Sequence, residues 1–295
     1  MLTVEGEIFK IRAVDNPVIA LLTDFGDGDF FAASLRGVIA GINPSARTVD
    51  MTHRVPSFAV GAAGFILYAA CPYFPQQTIF LVVVDPGVGT DRRILLVETS
   101  RFFFIAPDNG VLSMALENEK IIQVREINNA EYFLPSRGLT FEGRDKMAPA
   151  AAWLSKGIPC EKFGPEVVSY KRERLLNPRI EGKKIKGAVL YVDKFGNIIT
   201  DIPVRMLAGL VSRLEGRSFT MRFLRRNAGG TGSGRGFRVD FRETYRKAAK
   251  GDFLLLEGSL GLLELAVRED SAAGRIGLKA GDRVILTCSP AKPHE

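Results

Sequence analysis

The stretch Leu81 to Arg92 reads LVVVDPGVGTDR. An apolar, valine-rich run ends in an aspartate, and Pro86-Gly87-Val88-Gly89 follows at once. A β-branched run of this kind suits a strand buried on both faces, as in a parallel sheet. Proline and glycine then stop the strand and let the backbone turn sharply or approach a ligand. Asp85 is thus expected at the carboxyl end of a central strand, where open α/β sheets place their ligand crevices. A carboxylate there can accept a proton or a hydrogen bond, and Arg92, beyond the turn, can fold back onto it. The plainer reading makes Asp85 a turn cap and Arg92 a surface cation, because short polar residues favour turns for local reasons.

Three other clusters carry chemistry. Thr23-Asp24-Phe25-Gly26-Asp27-Gly28-Asp29 follows a short apolar strand. Its carboxylates can bind a divalent cation, but EF-hand spacing and a bidentate glutamate are lacking. They can instead accept hydrogen bonds from ribose hydroxyls or an ammonium group, or Asp29 can cap the helix that follows. Thr140-Phe141-Glu142-Gly143-Arg144-Asp145 precedes an alanine-rich helix and is either a capping cluster or part of a site. Asp193-Lys194-Phe195-Gly196-Asn197 interrupts two strands in the second half. His53 lies in a loop and reads as a structural residue; with His294 as the only other histidine, a multi-histidine metal site is excluded.

Strands and helices alternate from Val18 to Lys156: strand Val18–Leu22, helix Phe30–Ile42, strand Thr48–Met51, helix Phe58–Cys71, strand Thr78–Val84, a hairpin over 94–106, a helix from Val111, strand Ile121–Glu126 and helix Met147–Leu154. That order predicts an α/β sandwich with a largely parallel central sheet. After a polar stretch the pattern changes to short glycine-punctuated strands, which predicts a smaller all-β, barrel-like domain. The expected divisions are an extension over 1–16, an α/β domain over 17–170, a linker over 171–183 and the all-β domain over 184–295.

The chain has 295 residues, 46% of them hydrophobic and 25% charged, with a formal charge of +7. These values describe an ordinary globular chain long enough for two domains. Apolar runs are far shorter than the ~20 residues of a membrane span. No basic-then-apolar leader opens the sequence, and Cys71, Cys160 and Cys288 show neither metal nor disulfide spacing, so a reducing cytoplasm is expected. The arginines between 222 and 242 are interleaved with glycine and read as a basic hairpin loop. No nucleic-acid-binding signature accompanies them, so nucleic acid is not the expected partner.

Six motifs in order then resemble one family. TDFGDGDF at 23–30, VDPGVGTDR at 84–92, APDNG at 106–110, TFEGRD at 140–145, DKFGN at 193–197 and EGSLGLLELAV at 257–267 are similar to those of the S-adenosyl-L-methionine hydroxide adenosyltransferases, relatives of the fluorinase and chlorinase enzymes. The resemblance spans Val18 to Thr287. It implies hydrolysis of S-adenosyl-L-methionine to adenosine and methionine, by water attacking the ribose 5′ carbon. No cofactor or metal is implied. A homotrimer is, with each site between the α/β domain of one subunit and the β domain of the next.

By the same resemblance Asp24 holds the ribose diol and Phe58 packs on the ribose. Asp29, Asp193 and Ser259 contact the methionine end, and Phe195 and Asn197 contact adenine. Phe141 and Val267 complete the substrate-binding set. The catalytic set is Asp85, Arg92 and the residue at 142. There the family has a histidine in TFHGRD, whereas this chain has Glu142. Histidine exchanges protons near neutral pH; a glutamate beside Asp85 puts two carboxylates together and raises one pKa. Glu142 is then an auxiliary base or a proton-sharing partner, with Arg92 offsetting the repulsion. The alternative is that the change leaves a non-catalytic binder of S-adenosyl-L-methionine or adenosine.

Overall fold

The computed structural model describes residues 16–288, apart from 136–137, 139, 174–176, 210, 212–213, 215–216 and 225–235. The extension expected over 1–16, all but its last residue, and most of the arginine-glycine loop therefore lie outside the described residues. The chain divides into two compact units, Met1–Glu173 and Arg174–Glu295.

The first unit is built on six strands: β1 (Val18–Thr23), β2 (Arg47–Thr52), β3 (Ile79–Val83), β4 (Ile94–Thr99), β5 (Phe103–Pro107) and β6 (Ile121–Glu126). They lie in the order β2-β1-β3-β5-β4-β6. β1 runs parallel to β2 and β3, and β3 parallel to β5. β4, however, runs antiparallel to both β5 and β6. The sheet is mixed, which corrects the largely parallel expectation. Only residues 100–102 separate β4 from β5, closed by a Thr99 N–H to Phe102 carbonyl bond of 2.9 Å. So short a connection permits only a hairpin; a parallel neighbour needs a crossover of a dozen residues or more.

Two cores sandwich this sheet. Ile19, Leu21, Leu81 and Val83 pack on one face against α1 (Phe31–Ile42) and α3 (Ala148–Ser155). Ala20, Leu22, Phe80, Val82 and Val84 face the other way, against α2 (Val60–Ala70). Side chains alternate across a strand, so burial on both faces requires apolar residues at every position. That is why β3 reads as an unbroken apolar run.

Two helix expectations fail. Asp29 does not cap α1, whose N-cap is Phe30 with no side-chain hydrogen bond. Residues 111–118 form successive hydrogen-bonded turns instead of a helix, among them Ser113 N–H to Gly110 O and Leu116 N–H to Leu112 O.

In the second unit β8 (Lys184–Val192), β9 (Ile198–Pro203), β10 (Ser218–Leu224), β11 (Phe237–Phe241), β12 (Phe253–Glu257), β13 (Leu262–Val267) and β14 (Arg283–Cys288) follow the order β14-β10-β11-β12-β13-β9-β8. The β14–β8 pairing closes a seven-stranded barrel. β7 (Arg179–Glu181), inside the expected linker, adds a short strand to β8. Phe219, Met221, Leu263, Leu265, Val284 and Leu286 fill the interior. α4 (Ala272–Ile276) is capped at both ends, by the Ser271 hydroxyl and by left-handed Gly277.

Candidate active site

β3, between β1 and β5, ends at Val83, and Asp85 follows just beyond its carboxyl end. Asp85 Oδ1 accepts from the Gly87 N–H at 3.1 Å, which fixes the turn. Arg92 folds back as the spacing suggested: its Nε donates to Asp85 Oδ2 at 2.7 Å. The same guanidinium donates through Nη2 to Glu142 Oε2. Glu142 Oε1 in turn accepts from Lys146 Nζ. All three triad side chains are nearly buried, at 7% exposed for Asp85, 10% for Arg92 and 8% for Glu142. Charges so withdrawn from water are tolerable only when paired, and here they alternate: Lys146, Glu142, Arg92, Asp85.

This arrangement sets the protonation of Glu142. Burial alone would raise its pKa, but hydrogen bonds and attraction from Lys146 and Arg92 outweigh burial and hold it below its ordinary value. Arg92 is shifted the other way: burial opposes its charge, and the bonds to Asp85 and Glu142 more than restore it. With both oxygens engaged by cations, Glu142 is suited to be a fixed anion and ill suited to accept a proton.

Gly143 explains how Glu142 comes close to the end of β3, where Arg92 meets it. A Cβ at Gly143 would stand 2.9 Å from Val83 Cγ1, so only glycine lets this loop lie against β3. Gly143–Met147 then forms a single π-type turn before α3, a device common at functional sites. Phe141 meets Phe25, Phe30 and Phe31 edge-on, and the Arg144 guanidinium lies 5.0 Å from its ring centre. Arg144 is itself held by Asp145, with bonds of 2.6 and 2.9 Å.

Asp24 and Phe58 also come together. The Asp24 carboxylate accepts from the Phe58 N–H at 2.8 Å. Phe58 sits at φ +65° and is 69% exposed. Asp29 is exposed beside the likewise exposed Phe30. His53 is buried behind them: Nδ1 lies 2.9 Å from Thr23 Oγ1, and Nε2 is 3.1 Å from Asp50 Oδ1 but out of hydrogen-bonding alignment. Among the described residues no three His, Cys, Asp or Glu side chains are grouped as a metal ion would require.

The second unit carries a cleft of about 890 Å³, lined by Asp193, Phe195, Asn197, Ser259 and Val267 among others. All five substrate-binding residues expected from this half therefore share one cavity. Asp193 shapes it. Its Oδ1 accepts from the Phe195 and Asn197 N–H groups, both at 2.9 Å, and its Oδ2 from Asn197 Nδ2 at 2.9 Å. Gly196, at φ +82° and against Ser271, completes the tight loop. Phe195 is left 70% exposed at the rim.

Three residues escaped the sequence reading. Lys146 fell between the 140–145 motif and the helix expected from Met147, and only its spacing of four from Glu142 hinted at a pair. Tyr245 and Glu264 line the cleft, with the Tyr245 hydroxyl donating to Glu264 Oε1 at 2.5 Å. Burial pushes Glu264 up, Tyr245 pulls it back, and Asp193 adds to the rise. Burial and then Glu264 drive the Tyr245 phenol well above its ordinary value, so it stays protonated as the donor. A glutamate inside the apolar run Leu262–Val267 was the one available signal, since a charge buried in a barrel strand needs a partner.

Comparison with known proteins agrees with this layout. The family profile of the SAM hydroxide adenosyltransferase N-terminal domain matches residues 19–164, and that of the C-terminal domain matches residues 187–285. A protein of Thermus thermophilus named (R)-S-adenosyl-L-methionine hydrolase is 35% identical over 91% of this chain and 98% of its own length. One of the same name from Salinispora tropica is 35% identical over 92% and 98%. A fluorinase of an Actinoplanes species is more distant, at 25% identity over 63% of this chain and 72% of its own. The crystal structure of an uncharacterized conserved protein from Thermotoga maritima superposes with a TM-score of 0.83 at 36% identity, covering 91% of this chain and 99% of that one. With both profiles matched in order and a full-length relative at this identity, the chain belongs to the SAM hydroxide adenosyltransferase family.

Proposed function

We propose that the protein hydrolyses S-adenosyl-L-methionine to adenosine and L-methionine, with water as nucleophile at the ribose 5′ carbon. The observation that carries this reading is the buried Asp85–Arg92–Glu142 cluster at the end of β3, in a chain whose full-length relatives are named as hydrolases of this compound. The sulfonium is a good leaving group, so departure of methionine needs little acid assistance. What the reaction needs is one oriented oxygen in a site otherwise stripped of water. Asp85 accepts a hydrogen bond from that water and takes its proton as the new C–O bond forms and the C–S electron pair leaves with methionine. Arg92 orients Asp85, and Glu142 holds Arg92.

Asp24 and Phe58 are assigned to the ribose, Asp29, Asp193 and Ser259 to the methionine end, and Phe195 and Asn197 to adenine, with Phe141 and Val267 as further contacts. Because these residues belong to two units, a homotrimer with sites between subunits is the assembly we favour. No helix among the described residues is long and apolar enough to cross a membrane, and the dispersed cysteines fit a reducing cytoplasm. No cofactor is invoked. The test is incubation of the purified protein with S-adenosyl-L-methionine and chromatographic detection of adenosine and methionine in equal amounts. Binding without product would instead support the non-catalytic alternative.

A further inference from the structure

The cluster at the end of β3 has a fourth member. Lys146 reaches across one turn to Glu142 Oε1 at 2.5 Å, while Arg92 takes the other oxygen of the same carboxylate. The Lys146 ammonium is also 5.7 Å from the centre of the Phe133 ring, and its side chain is 30% exposed. The charges that face Glu142 are Arg92, from the turn after β3, and Lys146, from its own turn; Asp85 stands behind Arg92. Without Lys146, Arg92 alone would have to balance two buried carboxylates. Glu142 would then either take up a proton or draw the guanidinium away from Asp85.

We propose that Lys146 is a positioning residue for the reaction at Asp85, acting through Glu142 and Arg92. It lets a glutamate occupy a place where a neutral side chain would otherwise be less costly. Glu142 stays ionised and stationary, and the Nε and Nη2 of Arg92 remain on Asp85. The proposal deepens the hydrolytic reading and rests on it.

The experiment compares adenosine release against pH for the parent protein and for Lys146→Met, Lys146→Arg, Glu142→Gln and the Lys146→Met/Glu142→Gln double variant, each first checked for its fold by circular dichroism. Loss of Lys146 should lower kcat about tenfold with KM within about twofold, as expected when a positioned group moves but substrate contacts stay. The acid limb of the kcat profile should move to higher pH, because Glu142 is more easily protonated. Lys146→Arg should recover both. The double variant should lose no more than Glu142→Gln alone, since the carboxylate that Lys146 serves is gone. Parent-like kcat and pH profile in Lys146→Met, or losses that multiply in the double variant, would overturn the assignment. A parent protein that releases no adenosine would instead overturn the hydrolytic reading, and this one with it.

Discussion

The carboxylate of Asp24 holds the backbone N–H of Phe58 at 2.8 Å, thirty-four positions along the chain. That bond secures a phenylalanine in the left-handed region, φ +65°, where the residue is largely exposed. A non-glycine residue there costs on the order of 1 kcal/mol and persists only when its surroundings impose it. Strain of this kind is consistent with a ring displayed for a ligand.

Phe58→Gly separates the ring from the backbone. Glycine accepts φ +65° without strain, which offsets much of its own ~0.5–1 kcal/mol entropic cost. Thermal stability should therefore change little, while KM for S-adenosyl-L-methionine rises. A large drop in melting temperature would show that the ring serves packing.

Asp85→Ala should reduce adenosine release at least about a hundredfold, the usual lower range for loss of a general base. Calorimetry should still record binding of S-adenosyl-L-methionine. Turnover equal to the parent would remove Asp85 from the chemistry.

Gly143→Ala places a methyl 2.9 Å from Val83 Cγ1. Overpacking at such a contact should destabilise the fold by about 1–3 kcal/mol and displace Glu142, lowering activity. A second change, Val83→Ala, should recover part of both losses by clearing space. Urea unfolding and adenosine assays read the two effects separately.

Glu142 makes a pH-dependent contribution to stability. Its folded pKa lies below its ordinary value of 4.5. The contribution is therefore present above the unfolded pKa and is lost as pH falls through the folded value. Melting temperatures of the parent and Glu142→Gln should differ most near neutral pH and converge in acid. A gap that widens on acidification would contradict the assigned direction.

Halide should not substitute for water. An anion approaching Asp85 meets a carboxylate, and Gly143 offers no hydroxyl to receive it. Incubation with chloride or fluoride should yield no 5′-halo-5′-deoxyadenosine by mass spectrometry. Its detection would mean that another group neutralises Asp85 during turnover.

Much of this molecule could be read from residue order. Burial on both faces forces an unbroken apolar run, so β3 and the acidic loop after it were evident without coordinates. Glycine-punctuated short strands announced the β-rich second unit, and the six spaced motifs pointed to the family. Periodicity records which face of an element is covered. It does not record which distant charges meet there. The joining of Arg92 to Glu142, fifty positions away, depends on Gly143 fitting against Val83. The low proton affinity of Glu142 depends on Lys146 arriving from a π-type turn that no pattern foretold. The hairpin over 94–106 that makes the sheet mixed was legible in the sequence, whereas the Tyr245–Glu264 bond required the turn after β11 to lie against β13. A carboxylate's chemistry is set by its burial and its neighbours, and tertiary packing alone brings those neighbours together.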